Sequence, residues 1–226
     1  MKMKQVLDFL NDIRDNNNRE WFEVHRSEYD EATAVFAKFV EQLIAGIRLF
    51  DPTVSGLKPK DCMFRFYRDI RFSPNKMPFK NHFGAYICQQ GRKSPYAGYY
   101  FHIEPKDSGY LDGHLLAAGL YGPQPNVLKS VREEIMLNGA SFEAAAKEST
   151  GFILEDSQAL KKVPRGFPAD SPWAEYLKLK NPSLYKSFDD AYLLSDALLE
   201  NTLEAFSRTL NFNNWLNKAV EYALDE

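Results

Sequence analysis

Arginine and lysine are concentrated in one stretch of the chain. Phe64-Arg65-Phe66-Tyr67-Arg68-Asp69-Ile70-Arg71-Phe72 alternates cations with aromatics, and Lys76, Lys80 and His82 follow closely. A guanidinium presents a planar fork of donors that fits two oxygens of a phosphate or carboxylate, and an ammonium adds a point charge. Arg65, Arg68, Arg71, Lys76 and Lys80 are therefore candidate ligands for a small anion. His82 is the candidate catalytic residue beside them, because an imidazole titrates near neutrality and can give or take a proton.

The charge pattern supports a local site. Between Lys58 and Lys93 there are nine Lys or Arg against two acids, a balance of +7, which leaves −10 for the remainder of a chain whose total is −3. Parity singles out one arginine. In an extended chain Arg65, Tyr67, Asp69 and Arg71 face one way, whereas Arg68 shares the other face with Phe64, Phe66, Ile70 and Phe72. An unpaired guanidinium on an apolar face is costly, so Arg68 needs a partner. Three readings stay open: an internal salt bridge to an acid such as Glu20 or Glu104, an anion pocket, or a solvated basic face.

Other residues give weaker signals. His102 and Glu104 share a strand parity, as do Asp112 and His114, but without a tight ligand motif no metal is assigned, and the sequence leaves any cofactor unknown. Phosphate-binding glycine loops and the nucleophile-elbow motif are absent from the sequence. Tyr67, Tyr86, Tyr96, Tyr99 and Tyr100 suit base stacking, although the same residues serve as ordinary sheet packing. A non-catalytic module that meets an acidic protein or nucleic acid through the basic face is the alternative function. Lys161, Lys162, Arg165, Lys178 and Lys180 read as solvated charges, and Asn16-Asn17-Asn18 as turn and cap chemistry.

The elements that must position these residues follow from periodicity. Val6, Phe9, Leu10 and Ile13 predict a helix over 3–15. Asn18 is placed to cap a second helix from Arg19, with a break near Arg26 and an apolar stripe continuing to Ile47. The period then changes from 3.6 to 2 over 64–72, and alternation resumes over 83–87, 99–103 and within 111–121. Helical spacing returns from Pro125 through Ile135, with Ser141 able to cap a further short helix. Ser171-Pro172 marks a helix start, another helix is expected at 195–210, and Asn213 or Asn214 is expected to cap a last one over 215–224. The order is α+β: an antiparallel sheet in the middle of the chain, packed by N-terminal and C-terminal helices, in one domain over 1–226.

Composition bounds the rest. With 226 residues, 44% hydrophobic and 14% aromatic, the chain can bury a core, and disorder is excluded. No segment approaches the ~20 apolar residues of a membrane span, and no leader pattern follows Met1, which reads as a soluble cytoplasmic protein. Cys62 and Cys88 stand alone as reduced thiols. A pI near 5.9 argues against whole-surface nucleic-acid binding.

Three stretches together resemble one family: Asn16-Asn17-Asn18-Arg19-Glu20-Trp21-Phe22, then Phe64 to Gly84, then Leu160 to Phe167 with Tyr176-Leu177-Lys178-Leu179-Lys180. They are similar to the family catalogued as domain of unknown function 2461, across nearly the whole chain. The resemblance implies no catalytic or binding residues. It also implies a glycine-rich run before Tyr121, where His114 to Leu120 is more apolar.

Overall fold

The computed structural model describes residues 3–111 and 113–225. Asp112, which shares a strand parity with His114 in the sequence, lies outside the described residues. The chain gathers into two compact units. One comprises the segment ending at Arg92, Tyr100–Leu116 and Ser187–Leu203; the other comprises Lys93–Tyr99, Ala117–Lys186 and the segment from Glu204.

In the first unit the N-terminal pattern folds as its periodicity dictates. Helix α1 spans Met3–Asp15 and buries Val6, Phe9, Leu10 and Ile13. The Asn18 side chain accepts the Trp21 N–H at 2.9 Å and opens α2, Arg19–Val24. After a break at His25, α3 runs Arg26–Ile47 and buries Phe36, Phe39, Val40 and Leu43. A 3-10 turn at Pro52–Val54 and the short α4, Pro59–Cys62, lead towards the cationic stretch.

Residues 64–72, expected as a strand, form no continuous ladder. Isolated bridges join Met63 to Ala85 and Tyr67 to Phe79. Phe64 N–H donates to Gly84 O, Lys80 N–H to Phe66 O and Arg68 N–H to Pro78 O. The stretch is thus an irregular antiparallel arm folded back on 78–84. Pro78 has no N–H to give, which interrupts the pairing. The aromatics hold the arm instead. Phe66 and Phe79 stack at 5.5 Å, and Phe22 stacks on Phe79 at 4.2 Å. Phe66 and Phe79 are both buried.

Strands β1 (Phe83–Cys88), β2 (Gly98–Ile103), β3 (His114–Gly119), β4 (Ile153–Leu154) and β5 (Ser183–Phe188) form an antiparallel sheet in the order β1-β2-β3-β5-β4. The first three lie where alternation placed them, whereas β4 and β5 carry no long apolar run and escape it. Ile153 pairs with Tyr185, and Leu154 with Leu184.

The second unit is built on α5, Pro125–Glu148, and α9, Leu210–Asp225, around buried Val131, Ile135, Phe142, Leu216 and Val220. The helix break expected before Ser141 is a kink: Asn138 has φ −133° and ψ 34°, and the Ser141 hydroxyl donates to its carbonyl. Ser171 accepts the Trp173 N–H ahead of α6, Ala174–Leu177. Arg132 donates to Leu177 O and Leu179 O, so the guanidinium ties off the end of α6. α7 (Asp190–Leu193) and α8 (Leu198–Ser207) precede α9, which begins at Leu210, earlier than the expected asparagine cap. Among the described residues no helix is long and apolar enough to cross a membrane.

Candidate functional site

Tyr100, His102 and Glu104 are spaced by two and so project from one face of β2 and its continuation. His102 and Glu104 are fully buried. Nε2 of His102 lies 3.0 Å from Oε2 of Glu104, and Nδ1 lies 2.8 Å from the Tyr100 hydroxyl. A carboxylate only accepts, so the imidazole proton sits on Nε2 and the Nδ1 lone pair accepts the Tyr100 O–H. Burial holds His102 below the usual histidine pKa, against the opposing pull of Glu104. The base is therefore uncharged at neutral pH.

Glu104 is fixed from several sides. Its carboxylate also accepts the N–H groups of Tyr110, at 3.2 Å, and Leu111, at 2.8 Å. Gly109, at φ 74°, takes the left-handed turn that aims those amides back at it. The Glu104 N–H donates to Nδ1 of His114, whose Nε2 donates in turn to Asp190 at 2.9 Å. A buried carboxylate held by this many donors stays in one rotamer, and so does the histidine it orients.

The cations gather beside this row. Lys80 is half-buried, with Nζ 5.5 Å from the centroid of the Phe64 ring, and the Tyr100 ring meets the same phenylalanine at 6.0 Å. Burial first, then Arg65 and Arg92, pull the ammonium below its ordinary pKa. Among the described residues no carboxylate lies within ion-pair distance of Lys80, Arg65, Arg68 or Arg92. His82 stacks on Tyr110 at 4.7 Å, and its ring lies 4.8 Å from that of His102. Burial, then His102, Lys80 and Arg68, push its pKa down to about 3.

The six residues singled out from sequence divide. Arg65, Arg68, Lys80 and His82 share one electrostatic neighbourhood. Arg71 is ion-paired with Asp69 at 2.7 Å, and Lys76 donates to Ile70 O. Lys76 lines, with Asn17, Arg19 and Met77, an open depression that does not include Lys80. Arg68 meets no acid among the described residues; its guanidinium donates to Ser73 Oγ at 3.5 Å. Three contributors were missed as a set: Arg92, Tyr100, and Glu104 as the orienting group. The Tyr100-x-His102-x-Glu104 spacing carries the signal for two of them.

Cys62 and Cys88 are buried thiols, and burial pushes Cys62 up to about 12, which keeps it protonated and unreactive. Among the described residues no group of three or more His, Cys, Asp or Glu is arranged to hold a metal ion. A family model described as "Conserved hypothetical protein (DUF2461)" matches residues 5–215. The chain matches no curated protein and no solved structure.

Proposed function

The chain belongs to the DUF2461 family, whose description assigns no chemistry, and we propose from the chain's own geometry that it binds a small oxyanion, phosphate or carboxylate, at the cations around Lys80. One observation carries this reading. A half-buried ammonium lies in the field of two guanidinium groups, and among the described residues no carboxylate is within ion-pair distance of any of the three, the Asp69 carboxylate that acts on Arg65 being paired with Arg71. Crowded like charges are unfavourable in a partly desolvated place, and a bound anion reverses the sign of that interaction. Arg65 and Arg92 supply forks for two oxygens, Lys80 a point charge, and the Phe64 and Tyr100 rings the walls. His82 enters uncharged at neutral pH and takes up a proton more readily once an anion sits beside it.

The test is thermal unfolding with inorganic phosphate, phosphate esters and dicarboxylates at fixed ionic strength. A ligand at 100 times its Kd stabilises the folded state by about 2.7 kcal/mol. The reading requires that the gain vanish in Lys80→Ala and persist in Arg71→Ala. Equal responses in both variants overturn it.

A second reading has its own observation. Phe72 is 95% exposed, with the Arg71 guanidinium 5.9 Å from its ring centroid. An exposed aromatic beside a cation suits a macromolecular partner such as an acidic protein or nucleic acid. Arg71 is already neutralised by Asp69, which ranks this reading second. Loss of oligonucleotide or acidic-peptide binding in Phe72→Ser, with phosphate binding unchanged, would establish it.

A further inference from the structure

Anion binding does not require a buried histidine held by a buried glutamate. Desolvating that pair is expensive, and a tyrosine lying over a strand glycine, as Tyr100 does over Gly84, needs neither. The arrangement instead matches the order that activates a weak nucleophile: hydroxyl, base in contact with it, and a carboxylate that orients the base. We infer that Tyr100, His102 and Glu104 form an activated nucleophile for displacement at phosphorus, and that the substrate is a phosphoester whose anionic oxygens lie against the cations around Lys80. The inference rests on the oxyanion reading above. The geometry that links the two parts is the Phe64 ring, which borders both the Lys80 ammonium and the Tyr100 ring. The Lys80 charge also bears on His102 itself.

The step balances within the chain and water. The Tyr100 proton passes to Nδ1 of His102, and the imidazolium keeps its Nε2–H on the Glu104 carboxylate. The Tyr100 oxygen forms a bond to phosphorus as the ester P–O bond breaks, and the leaving oxygen takes its electron pair and a proton from water. Water then attacks phosphorus and breaks the bond to Tyr100, the phenolate recovers its proton from His102, and the proton lost by the attacking water neutralises the hydroxide left earlier. The net reaction is hydrolysis of the ester. Tyr100 is the catalytic residue, while Glu104 acts through His102 and is a positioning residue. His102 is available as a base because burial keeps it uncharged at neutral pH.

Diisopropyl fluorophosphate tests the nucleophile without a known substrate, since displacement of fluoride by the Tyr100 oxygen leaves a stable adduct. The full chain is treated and the adduct mapped by peptide mass spectrometry, with folding of each variant checked by circular dichroism. The expected result is modification at Tyr100, its absence at that position in Tyr100→Phe, and a rate lowered on the order of a hundredfold in Glu104→Gln. Should Glu104→Gln fail to fold, the pH profile of the folded wild type decides. Its rate should stay flat through pH 6.5 and fall only at lower pH, where the depressed His102 finally protonates. No adduct at Tyr100, a wild-type rate in folded Glu104→Gln, or a rate that rises only near the free-tyrosine pKa of ~10 overturns the nucleophile. Inorganic phosphate separates the two readings. Protection by phosphate supports both, while stabilisation by phosphate without any adduct overturns the nucleophile and leaves anion binding standing. An adduct that phosphate neither slows nor competes with overturns the phosphoester assignment together with the oxyanion reading.

Discussion

The Tyr100 hydroxyl occupies the place a β-carbon would take on Gly84: a methyl built there lies 2.5 Å from it and 3.0 Å from the adjoining ring carbons. Gly84 is therefore the floor on which the hydroxyl rests while it donates to His102. Gly84→Ala should push the ring outward and strand a buried imidazole lone pair, at a cost of about 1–3 kcal/mol in urea denaturation. In a Tyr100→Phe background the same alanine should cost less, because the closest overlapping atom is gone. Equal costs in the two backgrounds would disprove the coupling.

Glu104 serves three N–H donors through its carboxylate, those of His102, Tyr110 and Leu111. Glu104→Ala removes every acceptor at a fully buried position, and a loss of about 3–5 kcal/mol is expected. Glu104→Gln keeps one acceptor oxygen and should lose less. Hydrogen exchange at the Tyr110 and Leu111 amides reports the same event locally, with protection falling in the alanine variant before global unfolding.

Acid should unfold the protein through its histidines. His82 has a folded pKa near 3, below its ordinary value of 6.5, and His102 and His114 are lowered as well, each chiefly by burial. A depressed folded pKa means that the unfolded state binds more protons between the two values. Stability is then complete above about pH 6.5 and declines as pH falls towards 3. The groups facing His82 are Lys80, Arg68, His102 and Tyr110, and none is an anion that would offset its protonation. His82→Gln should flatten this limb by about 3 kcal/mol, after allowing for the ring's partial exposure. Denaturant midpoints at pH 7, 5.5 and 4 measure it, and parallel curves for wild type and variant would refute the assignment.

What the sequence made legible was local. The Asn18 cap, α1 and the long stripe of α3 depend on neighbours within a turn or two, and each formed as its spacing dictated. Alternation over 64–72 was real, yet the arm is held by Phe66 stacking on Phe79, a contact that Pro78 leaves without a continuous ladder. In the sequence Asn17 suits turn chemistry; its side chain reaches Phe79 N, Phe79 O and Asn81 across more than sixty positions. The same limit hid the site. His102 and Glu104 share a face visibly, but Lys80 joins Arg92 and Asp190 joins His114 only through tertiary folding. β5 was missed because Ser183–Phe188 mixes polar and aromatic residues over six positions, too few for a period to stand out.

Gly139 offers a test in the second unit. It is buried one residue beyond the Asn138 kink of α5, and a β-carbon there would lie 2.4 Å from the Trp173 indole. Alanine ordinarily favours a helix over glycine by about 1 kcal/mol. Here the added methyl must displace a large ring that stacks on Tyr176 at 6.2 Å and packs against the buried cluster of Val131, Ile135 and Phe142. Overpacking should win, with a net loss of about 1–2 kcal/mol. Indole emission should also shift to the red as Trp173 moves into water. Replacing Trp173 by Leu clears the clash, so Gly139→Ala in that background should turn neutral or stabilising. A destabilisation that survives the removal of Trp173 would mean that the backbone at the kink, not the indole, requires glycine.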